Sequence, residues 1–251
     1  MINSLQFKQG NAPKVIPLLT IKVCFGADSN IRFDCPYIVR IEQKEKTETF
    51  FFLGKKDERT GKQMKAFLTG TSIGSTREVI SEIVFNTSMT GYLEVLTDPS
   101  YAGQAVVMTY PLIGNYGITP DMESKKPWPD GYTVRELSRM PSNFRCEGTI
   151  QDFLTKNDIP GIAGIDTRAL TKILREKGTM NGMITTNENY NIEEIIPKLK
   201  AYTTGNVVDK VTCEEKRVLS GAGKRVALMD FGAKNNIAQS LNNRGCEVTI
   251  Y

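Results

Sequence analysis

The 251 residues predict an α/β protein, and three observations carry that prediction. Short β-rich runs bounded by Gly, Pro and Asp recur along the chain. Two helices are marked by caps and apolar stripes. Residues 224–251 alternate strand, helix and strand, the first βαβ unit of a doubly wound parallel sheet.

Taken in order, VIPLLTIKVCF (15–25) and YIVRIEQ (37–43) read as strands separated by the turn-rich GADSN, and a charged stretch follows at 55–62. VISEIVFNTS (79–88) and QAVVMTYPLI (104–113) read as buried strands. Between them, the hydroxyl- and glycine-rich stretch running to Gln104 is expected to connect elements of one sheet. Thr149 and Asp152 form a capping-box start for a helix with Ile150, Phe153 and Leu154 on one face, ending before Ile159-Pro160. Asp166 caps a second helix, whose stripe is Leu170, Ile173 and Leu174. Lys172, Arg175 and Lys177 precede its stop at Gly178. NGMITT (181–186) reads as a strand, and IEEIIPKLKAY (192–202) as a helix that Pro197 should disturb. A polar stretch at 203–224 reads as a linker. RVALMDF then gives a strand, GAKNN a turn into a helix bearing Ile237 and Leu241, and CEVTIY a second strand. A parallel sheet needs further strands and cover on both faces, so Tyr251 is expected to fall inside a longer protein.

Composition limits the chemistry. The chain is 40% apolar and 24% charged, an ordinary globular balance. It has neither a run of about 18 apolar residues, as a membrane span needs, nor a signal peptide at its start. Five dispersed cysteines without a C-x-x-C pair imply reduced thiols in a cytoplasmic protein. The chain contains no histidine, so a Cys-His or Ser-His-Asp nucleophile system cannot be completed within it. The net charge of +4 resides in residues 1–63, where lysines are scattered among acids, and the remainder is balanced. That pattern is a solvated face and not a nucleic-acid stripe.

Several motifs stand together in sequence: FNTSMTGYLEVLTDPSYAGQ (85–104), TYPLIGNYG, ELSRMPSNFR, GIAGIDTRALTKILREKG and MDFGAKNNI. Their order closely resembles the small subunit of glutamine-dependent carbamoyl phosphate synthetase, from about Met64 to Tyr251. The resemblance implies an N-terminal β/β/α domain (64–205), a linker (206–223) and the truncated start of a class I glutamine amidotransferase domain (224–251). Residues 1–63 would be an extension of unknown relation. It implies a ligase component that supplies ammonia from glutamine to a large subunit. There, ATP, Mg and bicarbonate are used to make carbamoyl phosphate for arginine and pyrimidine synthesis, and the small subunit itself holds no cofactor or metal. A non-catalytic module that docks on a large subunit is the alternative.

The resemblance assigns one site residue: Ser100, in Asp98-Pro99-Ser100-Tyr101, matches the family's glutamine-contacting serine. The family's Cys, His and Glu have no counterpart here, and Cys246, without an imidazole beside it, is expected to be a small core residue. Arg168 is expected to pair across domains. MKAFLTGTSIGS (64–75) looks as if it lacks the turn of the family's opening strand pair.

Overall fold

The computed structural model describes the backbone of residues 20–21, 39–40, 48–56 and 63–251, and the side chains from Phe67 onward. Most of the two strands expected over 15–25 and 37–43 lies outside the described residues, as does 57–62. Within them, β1 (Thr20–Ile21) and β2 (Val39–Arg40) pair antiparallel.

β3 (Glu48–Lys56) and β4 (Gln63–Ser72) pair antiparallel along their full length, from Glu48 opposite Thr71 to Lys56 opposite Gln63. β4 runs through Gln63–Ser72 without a turn, as expected for 64–75. The partner strand comes from residues ahead of Met64, so the sheet starts before the boundary expected there. An antiparallel ladder is set by backbone pairing and register, which a motif search does not see.

The chain continues through β5 (Val79–Asn86), α1 (Tyr92–Thr97), a 3-10 turn (Pro99–Tyr101), β6 (Gln104–Met108), β7 (Leu112–Ile113), β8 (Gly131–Thr133) and β9 (Glu136–Leu137). Then come α2 (Ile150–Lys156), β10 (Gly161–Ala163), α3 (Thr167–Lys177), β11 (Met180–Thr185) and α4 (Ile192–Ala201). Among the described residues, seven strands close a barrel in the order β10, β4, β3, β11, β5, β6, β8. β5, β6, β8 and β10 run parallel in sequence, and the other pairs are antiparallel. The fold is thus mixed α/β, with the sheet curled shut.

Three apolar clusters hold it. One gathers Leu68, Val79, Ile83, Val107, Ile162 and Ile184 with Leu170 and Leu174 of α3. A second packs Val106, Met108 and Tyr132 against α1 and α2 through Leu93, Leu96, Ile150 and Leu154. The third seats Ile195 and Leu199 of α4 on Phe67 and Met183. The two predicted helices form where their caps are: Thr149 Oγ1 accepts from Asp152 N (3.1 Å) and Asp166 Oδ1 from Ala169 N (3.0 Å). α4 runs unbroken through Pro197 because Ile195 and Leu199 pin it on either side, which outweighs the lost backbone bond.

Beyond the barrel, α5 (Val208–Val211) leads to a three-stranded sheet of β12 (Arg217–Leu219), β14 (Glu247–Ile250) and β13 (Arg225–Leu228), with α6 (Asn235–Asn242) joining β13 to β14. β13 and β14 are parallel, as the βαβ reading requires. β12 was expected to be linker; it pairs antiparallel with β14 and belongs to the sheet. Its three residues are too few to show a strand period. No described helix is long and apolar enough to cross a membrane.

At Gly70 the barrel leaves no room for a side chain: a Cβ there would lie 2.2 Å from the Ala163 carbonyl oxygen. Gly148 has open space around the same position. Gly70→Ala should lower the unfolding free energy by about 1–3 kcal/mol, and Gly148→Ala should stay within about 0.5 kcal/mol of the parent. Equal effects in urea unfolding would contradict this packing.

Candidate functional site

The segment 85–104 is no simple loop. α1 interrupts it, although Gly91 at its start offers no side-chain cap. The cap comes from elsewhere: Tyr116 Oη accepts from the N–H groups of Gly91 and Tyr92, both at 3.1 Å. Tyr92 stacks on Tyr116 with ring centroids 3.9 Å apart and donates its own hydroxyl to the Gly117 carbonyl (2.9 Å). Burial pushes both phenols above their ordinary pKa, so these hydroxyls stay neutral donors and acceptors.

At the other end of α1, buried Thr97 Oγ1 donates to the Leu93 carbonyl and accepts from Glu123 N, each 2.9 Å. Asp98 follows, and it is buried. Its Oδ1 accepts from Ser100 N (2.9 Å), which shapes the turn at Pro99–Tyr101. Its Oδ2 meets Lys234 Nζ at 2.8 Å. One carboxylate therefore fixes the Ser100 backbone and reaches the start of α6 in the second sheet. The hydrogen bond to Asp98 holds the Lys234 ammonium above the ordinary lysine value.

Further contacts close the same joint. Asn235 N donates to the Glu123 carbonyl (2.9 Å). Gly232 has φ +99, and a Cβ there would meet Val211 at 2.9 Å and Pro99 at 3.4 Å. Asp230 holds that turn by accepting from Gly232 N (2.9 Å) and Ala233 N (2.7 Å). Nearby, desolvation and the Asp230 carboxylate push the Cys213 thiol up, away from thiolate.

Ser100 itself is exposed, and its hydroxyl has no partner among the described residues. It is a free donor and acceptor at the junction of the two units. Cys246 sits just before β14, half-buried against the cluster of Ala238 and Val248, and is a packing residue. Arg168 makes no cross-domain ion pair among the described residues; it lies at the first turn of α3. Among the described residues, no three His, Cys, Asp or Glu side chains gather as a metal site would require.

Residues 63–184 match the family model for the carbamoyl-phosphate synthase small chain, CPSase domain. The carbamoyl phosphate synthase small chain of Clostridium perfringens is 52% identical over 183 residues, 72% of this chain and 52% of its own length. Residues 63–184 thus carry the small-chain CPSase domain, and about three quarters of the chain is similar to carbamoyl phosphate synthase small chains. The small chain of Listeria monocytogenes is 46% identical over 73% of this chain and 51% of its own length. The pyrimidine-specific small chain of Halalkalibacterium halodurans is 46% identical over 72% and 50%. The chain thus spans about half the length of these small-chain relatives.

The family motif points to Ser100 and not to the residues that fix its backbone. Asp98 was inside the same quoted motif, and Lys234 inside GAKNN, but nothing in linear sequence joins positions 98 and 234. Asp98→Asn and Lys234→Met should each lower the thermal midpoint. A double-mutant cycle should give a coupling of about 1 kcal/mol, limited by the partial exposure of Lys234. Because the folded Lys234 pKa is raised, the coupling is fully present below the ordinary lysine value and fades as pH climbs through the folded one. A cycle that is additive at neutral pH would remove this joint from the account.

Proposed function

We propose that this chain acts in the small, glutamine-amidotransferase component of carbamoyl phosphate synthetase. That component supplies ammonia from glutamine to a large subunit, which makes carbamoyl phosphate from ATP and bicarbonate with Mg. The observation that carries the reading is the Asp98 carboxylate. It pins Ser100 N and Lys234 together, so the free Ser100 hydroxyl stands at the edge of the second sheet, where it would meet the amide or carboxylate of a bound glutamine. Pro99 stiffens the approach, and a hydroxyl held on a rigid turn loses little entropy on binding.

Catalysis in this reading depends on a cysteine nucleophile with a histidine and glutamate that these 251 residues do not provide. The subunit itself carries no cofactor; ATP and Mg belong to the partner, and the setting is the cytoplasm. A second reading, a docking module without chemistry of its own, draws on Phe144 and Met140, which are 98% and 81% exposed on one loop and would suit a protein partner.

Ammonia release from glutamine, measured for the purified chain alone and with a synthetase large subunit, separates the chemistry. No release is expected in either case, and clear turnover by the chain alone would sink the assignment. In a full-length small subunit, Ser100→Ala should raise the KM for glutamine about tenfold or more while ammonia-dependent synthesis is unchanged. Equal loss of both activities would remove Ser100 from the glutamine pocket.

A further inference from the structure

Four parallel strands end at one rim of the barrel, the end away from Ser100. Beyond their carboxyl ends lies a groove of about 1060 Å³, lined by Thr87 after β5, Thr109 and Tyr110 after β6, Arg135 after β8 and one side of α3 after β10. The carboxyl ends of parallel strands are where such sheets leave room for ligands, because the chain must depart there into its crossovers.

The groove is basic. Arg168, Lys172 and Arg175 share one face of α3, and Arg135 is brought to them by the Gly164 N–H bond to its carbonyl (2.9 Å). Asp166 and Glu176 also line it, leaving two positive charges in excess. Asp166 is already engaged as the helix cap. No ion pair joins any of the four cations to an acid among the described residues.

Two further observations point to a ligand. Thr167 and Thr171 line the groove, are 0% and 7% exposed, and carry hydroxyls with no hydrogen-bond partner. A buried hydroxyl left unmatched is costly unless something meets it. The groove runs along one side of α3, from its cap Asp166 to Glu176, so that Arg168, Lys172 and Arg175 are spaced along its wall. Arginine forks and threonine hydroxyls together suit a tetrahedral oxyanion.

We propose that this groove is a binding site for a phosphate-bearing small molecule, separate from the Ser100 joint. It does not depend on the glutamine reading. The excess of two positive charges matches a phosphate monoester dianion, and the volume exceeds that of a free phosphate, leaving room for the group that bears it.

Isothermal titration of the full chain at fixed ionic strength tests it, with inorganic phosphate, inorganic pyrophosphate and citrate as probes. Saturable binding at one site is expected for the phosphates, with pyrophosphate the tighter. Arg168→Gln combined with Lys172→Gln should weaken pyrophosphate about tenfold or more, and Thr171→Val about threefold. Circular dichroism checks that these variants fold. If the α3 variants do not, Arg135→Gln, outside that helix, should still weaken binding severalfold. The proposal is overturned if no phosphate binds saturably at millimolar concentration, if folded variants bind as the parent does, or if citrate binds more tightly than pyrophosphate. Binding of an acidic peptide with no phosphate binding would overturn it too, in favour of a protein partner.

Discussion

The parallel pairing of β5, β6, β8 and β10 is the constraint on which the rest of the molecule depends. Parallel neighbours cannot be joined by a tight turn, so each connection must travel back along the sheet. Between β5 and β6 that return path is α1 and the turn at Pro99–Tyr101; between β8 and β10 it is the stretch containing α2. These crossovers cover the sheet through Leu93, Leu96, Ile150 and Leu154. The same constraint gives the barrel two unlike ends. At the carboxyl ends the chain leaves the strands and α3 begins. At the amino ends it comes back, and there Asp98 and Ser100 meet the second sheet just before β6 starts at Gln104.

Such an arrangement explains why the joint is polar. The returning chain must turn sharply into β6, and a sharp turn leaves backbone donors to be satisfied. Asp98 takes the Ser100 donor with one oxygen and has the other free for a cation. A buried carboxylate without a partner is costly, so Lys234 is as much a requirement of the turn as an attachment of the second sheet. Gly103 makes the same point sterically. Its φ is +78, and a Cβ there would come within 3.2 Å of Val207, so the turn and the adjoining unit are fitted to each other.

What could be read from sequence was whatever is local. The caps at Thr149 and Asp166 lie three residues from the N–H groups they accept, and both helices form as expected. α1 was illegible because its cap, Tyr116 Oη, comes from about 25 residues downstream. Barrel closure was illegible for a similar reason: the β3–β11 and β8–β10 pairs join distant strands, some of them only three residues long. Ser100 was legible only through a family motif, since an exposed serine in a turn has no signature of its own. The α3 groove did have one. Arg168, Lys172 and Arg175 stand at i, i+4 and i+7, a basic stripe opposite the apolar one, but Lys172 and Arg175 read as the basic end of a helix and Arg168 as a partner across domains.

The directions of the pKa shifts bear on what this barrel does. Sites that transfer protons or attack carbonyls bring their groups toward neutrality. Here burial pushes Tyr92, Tyr116, Tyr132 and Tyr202 the other way and desolvation moves Cys213 away from thiolate, whereas burial raises the Asp130 carboxyl against the opposing pull of Arg77 and Lys210. Tyr92, Tyr116 and Tyr202 serve as neutral hydrogen-bonding struts. The Ser100 hydroxyl makes no hydrogen bond among the described residues, while its backbone N–H is held by Asp98. The polar groups at the joint are therefore engaged in holding turns and helix starts, Asp98 on the Ser100 N–H and on Lys234, and Tyr116 on the first N–H groups of α1.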